Sequence, residues 1–176
     1  SPTITRHDEI KKDTVVLIDA WARNDTPGSV YADLTWVGYT GTEVPNDVER
    51  TWNIVVNARD AALNLVTKRF EGGQPVSGYE VDDAARGVIE KAGLGSNYIH
   101  RTGHSITTET HGAGVNMDNY ETKDTRPLLA STSFSIEPGL YFDGTLGLRS
   151  EINVVILESG KVTVPSAPMQ TSILPL

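Results

Sequence analysis

No cysteine occurs anywhere in the 176-residue chain, which excludes a disulfide framework, a thiolate metal site and thiol redox chemistry. Such a composition suits a reducing cytoplasm, the expected location. Basic residues are also short: 15 Lys and Arg stand against 23 Asp and Glu, a formal net charge of −8. Nucleic acid is therefore not expected as a partner, because phosphate binding needs a basic face. Nor is a membrane, since no apolar run comes near the ~18 residues that a span requires. No Gly-x-Ser-x-Gly elbow and no Gly-rich loop of the P-loop or dinucleotide type is present, which sets aside those hydrolase and nucleotide-binding classes. With 38% hydrophobic and 22% charged residues, the chain reads as one globular domain large enough to bury a real core.

What the chain does contain is acid in apolar places. The stretches Thr14-Val-Val-Leu-Ile-Asp-Ala-Trp21 and Val30-Tyr-Ala-Asp-Leu-Thr-Trp-Val37 are rich in β-branched and apolar residues, and the turn-rich Arg23–Ser29 separates them. They predict a strand, a loop and a second strand. Side chains alternate along a strand, so Asp19 shares a face with Val15, Leu17 and Trp21, and Asp33 shares one with Tyr31 and Thr35. Antiparallel pairing would bring the two acids together. A second pair, Glu137 and Glu151, recurs at the same separation within Ser133–Phe142 and Gly147–Leu157, again apolar and strand-like. Pro138 and Gly139 interrupt ladder pairing directly after Glu137, so that acid is expected to end its strand and face an opening. An unpaired buried charge costs several kcal/mol, so four acids in such company call for a cation.

Between the strand pairs the periodicity turns helical. Val48, Trp52, Val55, Val56, Ala62, Leu63 and Val66 trace a 3.6-residue stripe that predicts a helix over 46–70, ended by Gly72-Gly73. A second helix is expected from Ser77, capped by Glu80 three residues on, to Gly93, with Val81, Ala84, Ala85, Val88 and Ile89 on its apolar face. Both are read as structural covers for a sheet.

Three of the four histidines fall in the run His100-Arg-Thr-Gly-His104-Ser-Ile-Thr-Thr-Glu-Thr-His111. His7, in a charged stretch, carries no functional expectation. Imidazole and carboxylate donors together suit Mn, Co, Fe or Zn. Four carboxylates balance two divalent ions, and carboxylates can bridge ions roughly 3.5–4 Å apart, which a histidine cannot do. An acid-rich set with one terminal histidine therefore points to a dinuclear hydrolytic centre. The rival arrangement is a mononuclear zinc triad of His100, His104 and His111. It requires helical spacing through Gly103 and leaves the four acids unexplained.

Five segments taken together, Val-Val-Leu-Ile-Asp19-Ala, Tyr-Ala-Asp33-Leu-Thr, His100-Arg-Thr-Gly-His104-Ser-Ile, Ser-Ile-Glu137-Pro-Gly-Leu-Tyr141 and Gly-Leu-Arg149-Ser-Glu151-Ile, resemble the pita-bread metallopeptidases. That family comprises methionine aminopeptidases, Xaa-Pro aminopeptidases, Xaa-Pro dipeptidases (prolidases) and creatinases. The resemblance implies an α+β fold, a curved antiparallel sheet covered by helices, and two divalent metal ions, manganese first and cobalt, zinc or iron as alternatives. It makes Asp19 a terminal ligand of one metal, Asp33 and Glu151 the bridging acids, and His104 and Glu137 the ligands of the other. A metal-bridging water would attack the scissile carbonyl, with Glu137 linked to proton transfer and His111 stabilising the carbonyl oxygen. His100 and Tyr141 would lie near the substrate, and Arg149 would orient a bridging carboxylate from behind the ligands. The His-Arg-Thr-Gly-His-Ser and Glu-Pro-Gly-Leu-Tyr patterns look more like the Xaa-Pro branch, so the expected substrate is a peptide or dipeptide with proline second.

One departure accompanies the match. Only 18 residues precede Asp19, whereas the family carries a helical half-domain ahead of its first ligand strand. The expectation is that residues 1–176 form the C-terminal portion of a catalytic domain lacking part of its N-terminal half, with that half or a second copy as partner. Whether this chain acts alone is left open. The competing readings are an inactive fragment and a non-catalytic peptide-binding module of the same fold; keeping all five ligands speaks against the module.

Overall fold

The computed structural model describes residues 9–176, a range that leaves His7 outside. Strands β1 (Val15–Ala22) and β2 (Ala32–Tyr39) pair antiparallel, Asp19 opposite Thr35 and Trp21 opposite Asp33. Alternation puts these four side chains on one face of the hairpin and Ile18, Leu34 and Trp36 on the other. Helix α1 (Asn46–Glu71) follows, with Asp47 and Glu49 in its first turn, Lys68 and Arg69 in its last, and Gly72 as its C-cap. Those charges complement the helix dipole. Helix α2 (Gly78–Lys91) opens on the expected capping box, the Glu80 carboxylate accepting the Ser77 backbone N–H at 2.8 Å. The two helices pack together through Val55, Ala58, Ala62, Val66, Val81, Ala85 and Ile89, all in the buried core. Arg59 is also fully buried in α1, where Nη1 donates to Ser150 Oγ (2.8 Å) and to the Gln170 carbonyl (2.7 Å).

In the C-terminal third the first strand ends at Glu137 as Pro138 predicts, and the second expected strand also divides in two. Strands β4 (Thr132–Ile136) and β5 (Gly139–Phe142) part at Glu137-Pro138; β6 (Leu146–Arg149) and β7 (Ile152–Ile156) part at Ser150-Glu151. The breaks lie opposite each other, since Ile136 pairs with Ile152 and Gly139 with Arg149. Pro138 has no N–H for a ladder, and the freed Glu137 N–H turns to the Thr102 carbonyl instead, at 2.7 Å. Strand β3 (Ser105–Ile106) joins β4, β8 (Val162–Thr163) joins β7, and β9 (Leu174–Pro175) runs parallel to β2. The Asn153 amide ties the hairpin to this second sheet: Oδ1 accepts the Asp33 N–H at 3.0 Å and Nδ2 donates to the Asp33 carbonyl at 2.6 Å.

The histidine-bearing segment after α2 has almost no regular structure, and buried acids hold it. The carboxylate of the fully buried Asp82 accepts Thr102 N–H (2.9 Å), Thr102 Oγ1–H (2.7 Å) and Asn119 N–H (3.1 Å), and pairs with Arg86 one turn along α2 at 3.0 Å. Arg86 in turn donates to the carbonyls of Tyr98 and His100. Asp118 accepts three consecutive N–H groups, those of Tyr120, Glu121 and Thr122. Asp124 accepts the Asn116 N–H and is gripped by Arg126, whose guanidinium also reaches the carbonyls of Ala113 and Gly114. Gly103 lies so close to β4 that an added Cβ would stand 2.0 Å from the Ser135 carbonyl oxygen. Among the described residues no helix is long and apolar enough to cross a membrane.

Two outcomes follow from these clamps. Asp82→Ala strands the Arg86 charge and frees the segment before His104; urea unfolding should show a loss of about 3–5 kcal/mol. The Arg126 guanidinium, with the N–H groups of Asn116 and Arg126, holds the Asp124 carboxyl down to about 2. A depressed folded-state value means stability that is complete above the ordinary carboxylate range and is lost as pH falls toward 2. Asp124→Asn should therefore cost about 1–2 kcal/mol at pH 7. By pH 3 its unfolding midpoint should have moved closer to that of the unsubstituted chain.

Candidate metal centre

The face of the β1–β2 hairpin, the two facing strand breaks and the histidine segment converge on one cavity of ≈ 440 Å³, lined by Asp19, Trp21, Asp33, His104, Thr110, His111, Glu137, Arg149 and Glu151. A roomier groove of ≈ 790 Å³ opens near Leu34 and Val155, but its charged side chains are only Arg23 and Glu158, so size does not mark the site. Within the acidic cavity, Asp33, His104 and Glu151 each present a donor atom within 4.8 Å of the others, and all three are buried. Ligands held by one ion at roughly 2.1 Å lie up to about 4 Å apart, so this is nearly the spacing that coordination requires.

His104 is oriented by its surroundings. Its N–H is taken by Ser135 Oγ (3.0 Å), and its Nδ1 lies 3.2 Å from the Ser105 carbonyl, which places the ring proton there and leaves Nε2 free. That Nε2 faces Glu137 Oε1 at 3.3 Å and Asp33 Oδ2 at 3.5 Å. A lone pair aimed at two carboxylates is unfavourable, so Nε2 takes either a proton or a cation there. The balance of forces agrees: burial lowers His104, but Asp33 and Glu137 outweigh it and hold the imidazole above its ordinary value.

The carboxylates show the same shortage of positive charge. Burial, then the charges of Glu137 and Asp33, push the Glu151 carboxyl up to about 9, although Thr35 Oγ1 donates to it at 2.7 Å. Burial also raises Glu137, against the pull of His104 and Arg149 and a hydrogen bond from Ser135 Oγ at 3.0 Å. Carboxyls that retain protons above their usual range in a cluster with an oriented imidazole make a donor set that suits divalent cations. By charge, spacing and ligand chemistry Asp33, His104 and Glu151 fit a divalent cation.

Asp19 and Arg149 stand somewhat apart. The half-exposed Asp19 carboxylate pairs with the Arg149 guanidinium, whose Nε donates to Thr35 Oγ1 at 3.0 Å and lies 3.9 Å from Glu137. Arg149 thus reaches Glu151 only through Thr35. His111, exposed at the rim, stacks edge-on over His104 with ring centroids 4.2 Å apart. Partial burial, then the positive charge of His104 and Arg101, keeps His111 below the ordinary imidazole value. Its loop is pinned from the hairpin, where Tyr31 N–H donates to the Thr107 carbonyl (2.9 Å) and Arg23 to that of Thr108 (2.8 Å). His100 and Tyr141 do not reach the cavity wall. The His100 ring donates from Nδ1 to the Arg101 carbonyl (2.7 Å) and accepts the Tyr141 hydroxyl at Nε2 (3.0 Å), so the three histidines form no triad. Thr35, Ser135, Asn153 and Thr110 are additions to the expected set; Thr35 and Ser135 each sit two residues before or after an acid, where strand alternation puts them on its face.

The sequence pattern of metallopeptidase family M24 matches residues 2–158. The probable dipeptidase PepE of Mycobacterium tuberculosis is 32% identical over 170 residues, covering 96% of this chain and 41% of that protein. Among solved structures, dipeptidase PepE of Mycobacterium ulcerans superposes with a TM-score of 0.78 at 30% identity, covering 95% of this chain and 42% of that one. A dipeptidase of Pyrococcus horikoshii gives 0.81 at 26% identity, covering 97% and 44%. The prolidase of Thermococcus sibiricus gives 0.79 at 27%, covering 97% and 42%. The chain thus spans about two fifths of the length of these relatives, and over that span its fold is the pita-bread fold. With five segments in register and a family match over most of its length, the chain belongs to metallopeptidase family M24.

Proposed function

We propose that this chain carries the centre of a dinuclear metal-dependent exopeptidase that hydrolyses the bond between an N-terminal residue and a following proline. The observation that supports it is the convergence of Asp33, His104 and Glu151 within 4.8 Å, with Glu137 3.3 Å from the same imidazole. In this reading Asp19, Asp33, His104, Glu137 and Glu151 would hold the ions, manganese being the first candidate. When bound, the ions would supply a Lewis acid and a water ionised near neutral pH.

The protein's own part is to place groups around the scissile bond. His111, neutral and at the open rim, is the donor for the substrate carbonyl as negative charge develops on its oxygen. Glu137, held by Ser135 Oγ and facing His104, takes the proton of the attacking water and returns it to the departing prolyl nitrogen. That nitrogen is a tertiary amide without a hydrogen of its own, so cleavage of the C–N bond needs a proton delivered there. Arg149 keeps Asp19 and, through Thr35, Glu151 in place. His100 and Tyr141 act from behind the wall, buttressing the segment that carries His104.

Calorimetric titration of the chain with Mn²⁺ should give two ions per chain, and with them bound an Ala-Pro dipeptide should release free alanine. One ion or none, or no release from the metal-loaded protein, overturns the dinuclear peptidase. Glu137→Ala should lower turnover by roughly 10²–10⁴-fold, the range of a lost acid–base group, while circular dichroism stays unchanged. Removing the carboxyl that the crowded site forces to keep its proton separates folding from binding. Glu151→Gln should raise the melting temperature of the metal-free chain yet weaken its metal affinity by roughly 10–100-fold, and a loss in both would contradict the electrostatic account.

A further inference from the structure

We propose that Trp21 is the specificity-determining wall of the site, the surface that receives the prolyl ring of the substrate; the inference rests on the peptidase reading. The remainder of the cavity lining is polar or ionisable, with Asp19, Asp33, Glu137 and Glu151 on one side and Arg149, His104, His111 and Thr110 around them. Among the described residues Trp21 is the only large apolar side chain of that lining. It lies on the same face of β1 as Asp19 and directly opposite Asp33, yet it is 56% exposed.

The exposure does not belong to the uncovered back of the hairpin. Ile18 and Trp36, the other large exposed apolar groups of these two strands, pair with each other on the opposite face. Whatever covers that face leaves Trp21 in the cavity mouth. Arg23, two positions further along, holds the Thr108 carbonyl, and Thr110 and His111 beyond it line the same cavity as the indole. A substrate carbonyl placed for His111 would put the next residue beside Trp21. The prolyl ring offers only C–H groups and no amide hydrogen, and among these linings only an aromatic face gains from contact with it. A substrate with alanine in that position would leave the indole wet.

The test uses the chain with and without Mn²⁺, the dipeptides Ala-Pro and Ala-Ala, and the variants Trp21→Phe and Trp21→Ala, both at an exposed position where folding should be unaffected. Ala-Pro should alter the tryptophan emission of the parent chain, and the change should vanish in Trp21→Phe, which keeps Trp36 and Trp52. In turnover, Trp21→Ala should raise KM for Ala-Pro roughly three- to tenfold, the worth of one aromatic contact, and KM for Ala-Ala by less, so that the preference for proline narrows, while Trp21→Phe keeps most of it. An emission change that persists in Trp21→Phe, or a proline preference that survives Trp21→Ala undiminished, overturns the assignment while leaving the peptidase reading in place. A Trp21-dependent emission change without hydrolysis of either dipeptide overturns the peptidase reading and supports the prolyl contact.

Discussion

More negative charge is gathered in the site than its own cations can balance, and much of the local architecture serves to keep it there. Asp33, Glu137 and Glu151 surround the His104 imidazole, and the guanidinium of the cavity lining, Arg149, is committed to Asp19 and Thr35. Left in water, such groups would separate and solvate. Here backbone and core hold them: Asp33 through the Asn153 amide, Glu137 and Glu151 through the paired strand breaks that the core residues Ile136, Ile152, Leu140 and Leu148 lock on either side. The energy of folding is thus used to oppose a local repulsion that divalent cations would relieve.

The breaks are the structural device that makes this possible. An uninterrupted strand would bury every second side chain against the helices and send the next to the far face. Parting β4 from β5 and β6 from β7 at the same level opens the ladder where Glu137 and Glu151 project. It also lets the Glu137 N–H donate to the Thr102 carbonyl in the histidine segment. One interruption therefore frees two acids and couples them to the segment that bears His104.

Much of this was legible in the sequence, and the rest was hidden for identifiable reasons. The hairpin, both helices and the end of a strand at Glu137 follow from alternation, a 3.6-residue period, a capping box and Pro138. Period and turn chemistry are local properties. The second break, before Ile152, carries no proline and follows only from the pairing with β4. Arg59 escapes a periodicity reading because a charged residue does not register in an apolar stripe, although its carbonyl and hydroxyl partners let it sit in the core. The placement of His100 behind the cavity depends on Tyr141, forty-one positions away. No spacing within the histidine run contains that contact.

The same distinction separates the acids that hold the fold from those offered for chemistry. Asp82, Asp118 and Asp124 are as buried as Asp33 and Glu151, and in sequence nothing tells them apart. What differs is the supply of donors. Asp82 takes hydrogen bonds from Thr102, Asn119 and Arg86, Asp118 from three successive N–H groups, Asp124 from Asn116 and Arg126. Each is compensated within the protein, and for Asp124 the carboxyl is held low as a result. Glu151 has one hydroxyl and two negative neighbours, and its carboxyl is driven up instead. A buried acid with a full set of donors is structural; one whose donors fall short, set among others like it and beside an oriented imidazole, is a candidate to hold a cation from outside the chain.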